Sequence, residues 1–213
     1  MKRLQIRRLS IAIIFASLFV VLSFIPIGTS LIGGSGLFSL SLILPPVVGW
    51  LLGTSYGSFS MIMGSLAYTF LSPLSSFGLL AFIIPSSGAF FSGLNRKGFS
   101  LVTAVYLSLF SLSYVIIYPI VWWFIIPHLI AVCFSVLFFL LRHTRISIFL
   151  SSFSSTFSQQ ATGLILTIVI LQLKAEIYYI IFPSMIYERV LAGIGSFLLI
   201  SAIEKRLNQY TTF

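Results

Sequence analysis

Residues Leu9 to Ile27 form an apolar run of 19 residues without a charge, close to the ~20 that a helix needs to cross a bilayer. Lys2, Arg3, Arg7 and Arg8 precede it. Lys and Arg resist translocation, so this pairing predicts a membrane helix with its amino end in the cytoplasm. The run has no convincing A-x-A cleavage site and is followed by further apolar runs, so it reads as a retained helix rather than a signal peptide. Ala12 and Ala16 stand one turn apart on one face, a small-xxx-small pair that lets another helix approach closely. They are the candidate docking seam for a partner subunit.

Composition extends this reading to the whole chain. Of 213 residues, 59% are hydrophobic and 7% charged, against about 25% charged in a soluble domain. One membrane domain over residues 1–213 accounts for everything. A net charge of +9 would point to nucleic acid in a soluble protein. Here the cations flank apolar runs, where they act as topology signals and meet anionic lipid.

Eight spans are expected, near 9–27, 37–55, 56–72, 77–94, 99–118, 124–141, 150–173 and 182–203. Pro45-Pro46 should kink or break the second, and Gly28 to Gly36 reads as an external loop. From Ala161 to Leu173 there are too few residues to cross, so the seventh span takes in part of the hydroxyl-rich stretch Ser151 to Gln160. With eight spans and a cytoplasmic amino terminus, Arg96, Lys97, Arg142, Arg145, Lys205 and Arg206 join the first four cations inside, and both termini are cytoplasmic. Six spans are the alternative, if a short pair between 37 and 94 is re-entrant; irregular backbone at membrane depth survives only when protein or a wet cavity surrounds it.

Several side chains sit where lipid would penalise them. Glu188 and Arg189 lie about 9 Å inside the outer end of the eighth span, at 1.5 Å per residue. Adjacent helical residues point about 100° apart, so a simple mutual pair is not expected. Intramembrane charges are costly and mark sites by default. His128 lies at a similar depth, near Tyr118, Trp122, Trp123 and Tyr187. These residues are a candidate aromatic pocket with a few polar groups, against the plainer reading of an interfacial aromatic belt. Gln159 and Gln160 fall near mid-span and must meet other helices or a cavity. Gly49, Gly53 and Gly57 repeat at a spacing of four and read as tight packing.

Catalytic readings are weak. Gly33-Gly-Ser-Gly36, with His128 as a base, lacks a positioned Ser–His pair. Two histidines, one cysteine and three glutamates scattered along the chain make a poor metal set. No phosphate-cradling loop is present, so ATP hydrolysis by the chain alone is excluded. Neither a cofactor nor a nucleic-acid partner is expected.

The pattern resembles the substrate-binding S components of energy-coupling factor transporters. The matching pieces are Ala12-Ile-Ile-Phe-Ala16, similar to the family's A-x-x-x-A motif; Leu44-Pro-Pro-Val-Val-Gly-Trp-Leu-Leu-Gly-Thr-Ser-Tyr-Gly57, similar to its short second helix and glycine-rich turn; and Ile84 to Gly93, similar to its fourth helix. The likeness covers the first half of the chain. It implies a vitamin- or micronutrient-binding subunit of an importer, with a separate transmembrane scaffold and two ATPase subunits, and Ala12 and Ala16 at the scaffold contact. Eight spans depart from the six usual in the family. The expectation is a helical membrane subunit that captures a small solute from outside through His128, Glu188, Arg189 and the nearby aromatics. A stand-alone secondary transporter, with Glu188 carrying a proton, and a structural membrane protein without a solute are the alternatives.

Overall fold

A computed structural model of the chain describes residues 2–27, 39–72, 77–142, 144 and 146–211, with backbone alone at 2–4 and 207–211. The candidate loop Gly28 to Gly36, and with it Gly33-Gly-Ser-Gly36, lies outside the described residues, as does Arg145. Among the described residues the regular elements are helical: α1 (Lys2–Ser23), α2 (Leu44–Leu71), α3 (Ile83–Arg96), α4 (Ser100–Ile117), α5 (Ile126–Leu141), α6 (Ile146–Leu166) and α7 (Ala175–Thr211). Short 3-10 turns lead into α2, α3 and α5, and a π turn, Thr167–Leu171, ends α6. An isolated antiparallel bridge joins Pro26 to Ser39. Seven helical stretches are long and apolar enough to cross a membrane, which makes this an all-helical multi-pass membrane bundle.

The two expected spans 37–55 and 56–72 lie in one of these stretches, Leu40–Leu71, and the reason is Gly53. At φ 80° and ψ 178° its backbone is far from helical, in a region essentially restricted to glycine. The chain doubles back there. A Cβ placed on Gly57 would stand 2.9 Å from the Cα of Gly49, whereas eight residues of straight helix span about 12 Å. The arms 44–52 and 54–71 therefore run antiparallel with their backbones in contact. The turn falls at Gly53 rather than at Gly57, and Gly49 and Gly57 supply the close approach.

Pro45 and Pro46 do not break the helix, contrary to expectation. They occupy its first turn, where a missing N–H has no intrahelical acceptor to lose. Pro127 sits likewise at the start of α5.

Since lipid tails are as apolar as Leu, helices in a bilayer are held by close packing and interhelical hydrogen bonds, and the first half shows both. Ser60 Oγ donates to the Ala12 carbonyl at 2.6 Å and Ser92 Oγ to the Pro46 carbonyl at 2.6 Å. Gly49 faces the Ala89 backbone, and Gly93 faces that of Thr54. Buried Asn95 binds three helices together. Its amide donates to Ser151 Oγ at 3.2 Å and Ser154 Oγ at 3.0 Å, and its carbonyl accepts from Thr103 Oγ1 at 2.6 Å.

The basic residues gather at one end of the bundle. Arg96 donates to the carbonyls of Trp50 and Leu51, Lys97 Nζ to Thr54 Oγ1, and Trp50 Nε1 to Glu204 Oε1 at 2.6 Å. The Arg142 guanidinium lies beside Gly98 at this end. Helix α1 runs parallel to the arm 54–71, with Ala12 at Ser60, Ala16 at Gly64 and the Phe24 ring on Tyr68, so Arg7 and Arg8 point to the same end. Lys174 is at the other.

Candidate functional site

Helix α6 is the hub of the second half. Residues 151–159 are all buried, although six of them are Ser or Thr. Most of these hydroxyls bond the carbonyl three or four residues earlier, which lets a polar helix pass through an apolar bundle. Four helices meet it at mid-height. Phe157 touches the His128 ring of α5, with centroids 5.4 Å apart. Gln159 rests on Gly88 of α3; a Cβ there would lie 3.0 Å from Oε1. The Thr156 carbonyl accepts from Arg189 Nη1 of α7 at 3.3 Å. Phe110 of α4 covers the other side of His128 at 4.9 Å.

Arg189 Nη2 lies 3.7 Å from Glu188 Oε2. The adjacent charges thus do form a pair, contrary to the expectation from their helical phase. The pair is loose, beyond hydrogen-bond length. Both residues are buried, at 2% and 3% exposure. Glu188 Oε1, Arg189 Nε, both ring nitrogens of His128 and Gln159 Oε1 have no hydrogen-bond partner. The Phe124 carbonyl, one turn before His128, faces the ring outside hydrogen-bond geometry, and Arg189 lies within electrostatic reach of it. In a native fold each buried unpaired polar atom calls for an explanation such as water, an ion or a functional role.

The other candidates divide. Tyr118 is partly buried and donates to the Leu173 carbonyl at 2.9 Å. Trp123 packs against Tyr179 at a tilt and edge-to-face against Phe182. Trp122 and Tyr187 do not join the set; each is 56% exposed on the outer surface of the bundle, which suits an interfacial belt. Gln160 is half-buried, on a different face of α6 from Gln159. Not anticipated from sequence are Tyr114 and Tyr178, both 0% exposed, which pack with Tyr118 and Phe124 directly above Phe110. Nothing in their local sequence separates them from the chain's other aromatic residues.

The docking seam needs correction. Ala12 and Ala16 are buried at 1% and 9%, and what covers them is this chain's own arm 54–71. A Cβ on Gly64 would meet the Ala16 carbonyl at 2.7 Å. The small-xxx-small pair is used up inside the subunit. Among the described residues no group of three or more His, Cys, Asp or Glu could hold a metal.

Fold and site together define a multi-pass helical membrane protein with a buried charged and polar centre. No family model matches the chain, and no solved structure matches it. It is similar to the uncharacterized protein MJ0923 of Methanocaldococcus jannaschii, at 33% identity over 181 residues. The match takes in 76% of this chain and 59% of that protein, so the chain spans under two thirds of the relative's length.

Proposed function

We propose that the chain is a membrane transport protein, not an enzyme, that binds a small polar solute at Glu188, Arg189, His128 and Gln159. The carrying observation is the set of buried, unpartnered atoms on these four side chains, which offers donors and acceptors of both signs at membrane depth. An intramembrane ionisable group is by default a functional one. In the same reading the chain crosses the membrane eight times. The fold-back at Gly53 supplies the extra pass, and the basic end of the bundle faces the cytoplasm, with both termini there.

The finer reading is a solute-binding subunit of an ATP-driven importer of the energy-coupling factor type, taking a vitamin-like solute at the cell membrane. It rests on the resemblance of the first half. The burial of Ala12 and Ala16 removes the scaffold contact that resemblance offered. That observation favours a second reading, a stand-alone secondary transporter with Glu188 as its proton-carrying group.

Native mass spectrometry of the protein extracted gently from its own membrane tests these readings. A bound small molecule of defined mass, lost in Arg189→Ala, is the expected result. ATPase subunits in the same complex support the importer; solute without partners supports the stand-alone transporter. A protein free of any small molecule, together with unchanged solute uptake in cells lacking it, overturns solute binding.

A further inference from the structure

The first two turns of α7, residues 175–182, are set off from the rest of the helix by Pro183. Proline has no N–H, so the Tyr179 carbonyl one turn earlier loses its helical donor, and a helix bends most readily at such a point. The backbone on the other flank is irregular too. Helix α6 ends in the π turn Thr167–Leu171, and Gln172 follows in a left-handed conformation (φ 47°). Residues 175–182 thus form a short helical segment between two weak points.

This segment covers the buried polar set at the Lys174 end. The Tyr178 ring is wholly buried and meets the ring of Tyr114 on α4 at 5.5 Å and that of Phe124 at 5.2 Å, both edge-on. Tyr114 stands four residues from Phe110, and Phe124 four residues from His128. Tyr178 lies about 15 Å along α7 from Glu188, ten residues at 1.5 Å each. The three rings are therefore a layer between the Lys174 end and the polar set. Two observations separate it from ordinary apolar packing. The hydroxyls of Tyr114 and Tyr178 are buried without a partner, a state that water or a passing polar group relieves. Above the layer, Tyr118 Oη donates to the Leu173 carbonyl at 2.9 Å, which clasps the link after α4 to the link before α7. Toward the basic end the bundle instead closes over an apolar cluster that includes Val47, Phe138, Ile148 and Ile200.

We propose that residues 175–182 are a lid hinged at Pro183, that solute enters the polar set from the Lys174 end through the layer of Tyr114, Phe124 and Tyr178, and that the Tyr118–Leu173 bond holds the lid shut. Swinging the segment away parts the rings and turns two unpaired hydroxyls toward the opening. The inference rests on the solute-binding reading and gives that site its side of entry and its closure.

The test is cysteine accessibility in sealed vesicles, with Cys133 replaced by Ala and a reporter at the polar set, His128→Cys or independently Gln159→Cys. The reagent is 2-(trimethylammonio)ethyl methanethiosulfonate, which does not cross membranes, applied from each face in turn. The face that labels Lys174→Cys, at an exposed position, marks the proposed side of entry. The reporter should react several-fold faster from that face. Tyr118→Phe removes only the clasping hydroxyl and should raise the rate several-fold further. Pro183→Ala restores the missing helical donor and should lower it. Tyr106→Phe is the matched control, because it breaks the Tyr106–Thr162 hydroxyl bond of 2.7 Å away from the lid; the rate should not change. Reaction no faster from the Lys174 face, including none from either face, overturns the path. A rate unmoved by Tyr118→Phe, or raised as much by Tyr106→Phe, overturns the clasp, and one unmoved by Pro183→Ala overturns the hinge. The reaction needs no solute, so failure here is distinct from a native mass spectrum without a bound molecule, which counts against solute binding itself.

Discussion

Gly57 lies against Gly49, eight residues before it, because the chain turns back on itself at Gly53. In the eight-pass reading proposed above, this contact supplies the additional crossing. In a straight helix over Leu40–Leu71, Ser55 would sit near the bilayer centre, about 22 Å from the first residue at 1.5 Å per residue. In the folded-back arrangement it is exposed, next to the turn and to Lys97. With Cys133 replaced by Ala, Ser55→Cys should react with a membrane-impermeant maleimide from the same side as Lys205→Cys. Absence of reaction with either face would refute the extra pass.

The turn itself has a conformational requirement. Gly53→Ala forces a side chain into φ 80°, ψ 178°, at a cost on the order of 1–3 kcal/mol, although a Cβ there has open space around it. The expected outcome is a lower thermal midpoint in detergent. Gly78→Ala is the comparison: its φ of 52° is left-handed and its surroundings are also open, but it lies outside the fold-back. A Gly53→Ala protein as stable as the parent would show that the backbone there relaxes.

Ala16→Leu now carries a different meaning from that of a partner-docking mutation. The added side chain meets the Gly64 backbone of the same chain, and overpacking of this kind costs ~1–3 kcal/mol. The protein should lose thermal stability and folded yield when expressed alone, with no partner present. Ile13→Leu on the exposed face of α1, where Ile13 is 56% exposed, should be neutral. A fully stable Ala16→Leu protein that fails only in assembly would restore the external seam.

The sequence carried the helical membrane class in its apolar runs, and the cation pattern anticipated which helix ends share one side. Both follow from transfer energies summed over many residues, so local errors average out. The turn at Gly53 was harder, because a glycine every four residues suits a straight packing ladder as well as a hairpin. Only the contact between Gly49 and Gly57 distinguishes them. Asn95 was hidden for a related reason. Beside Arg96 and Lys97 it looks like part of a polar loop, yet it is buried at the meeting of α3, α4 and α6. At the site, Glu188, Arg189, His128 and Gln159 were legible because polarity at membrane depth is conspicuous in one dimension. Phe110, Tyr114 and Tyr178 were not, because in a chain with 22 Phe and 9 Tyr an aromatic residue carries little information until its neighbours are known.

The Glu188–Arg189 pair separates stability from function. Removing one member of a buried ion pair leaves the other uncompensated and costs ~3–5 kcal/mol, whereas replacing both with apolar residues of similar volume is near neutral or stabilising. Arg189→Ala strands Glu188, whose other oxygen already lacks a partner, so it should be markedly less stable. The double variant Glu188→Leu with Arg189→Met removes both charges and should recover most of the thermal midpoint. If these residues exist to hold a solute, the recovered protein should still have lost binding by at least tenfold, since the donors and acceptors are gone. The two readouts are the thermal midpoint in detergent and the co-purified small molecule by native mass spectrometry. A double variant that is stable and keeps its solute would assign the pair no part in recognition. One as unstable as Arg189→Ala would make the pair a structural element of the α6–α7 contact, through the Thr156 carbonyl that Arg189 now holds.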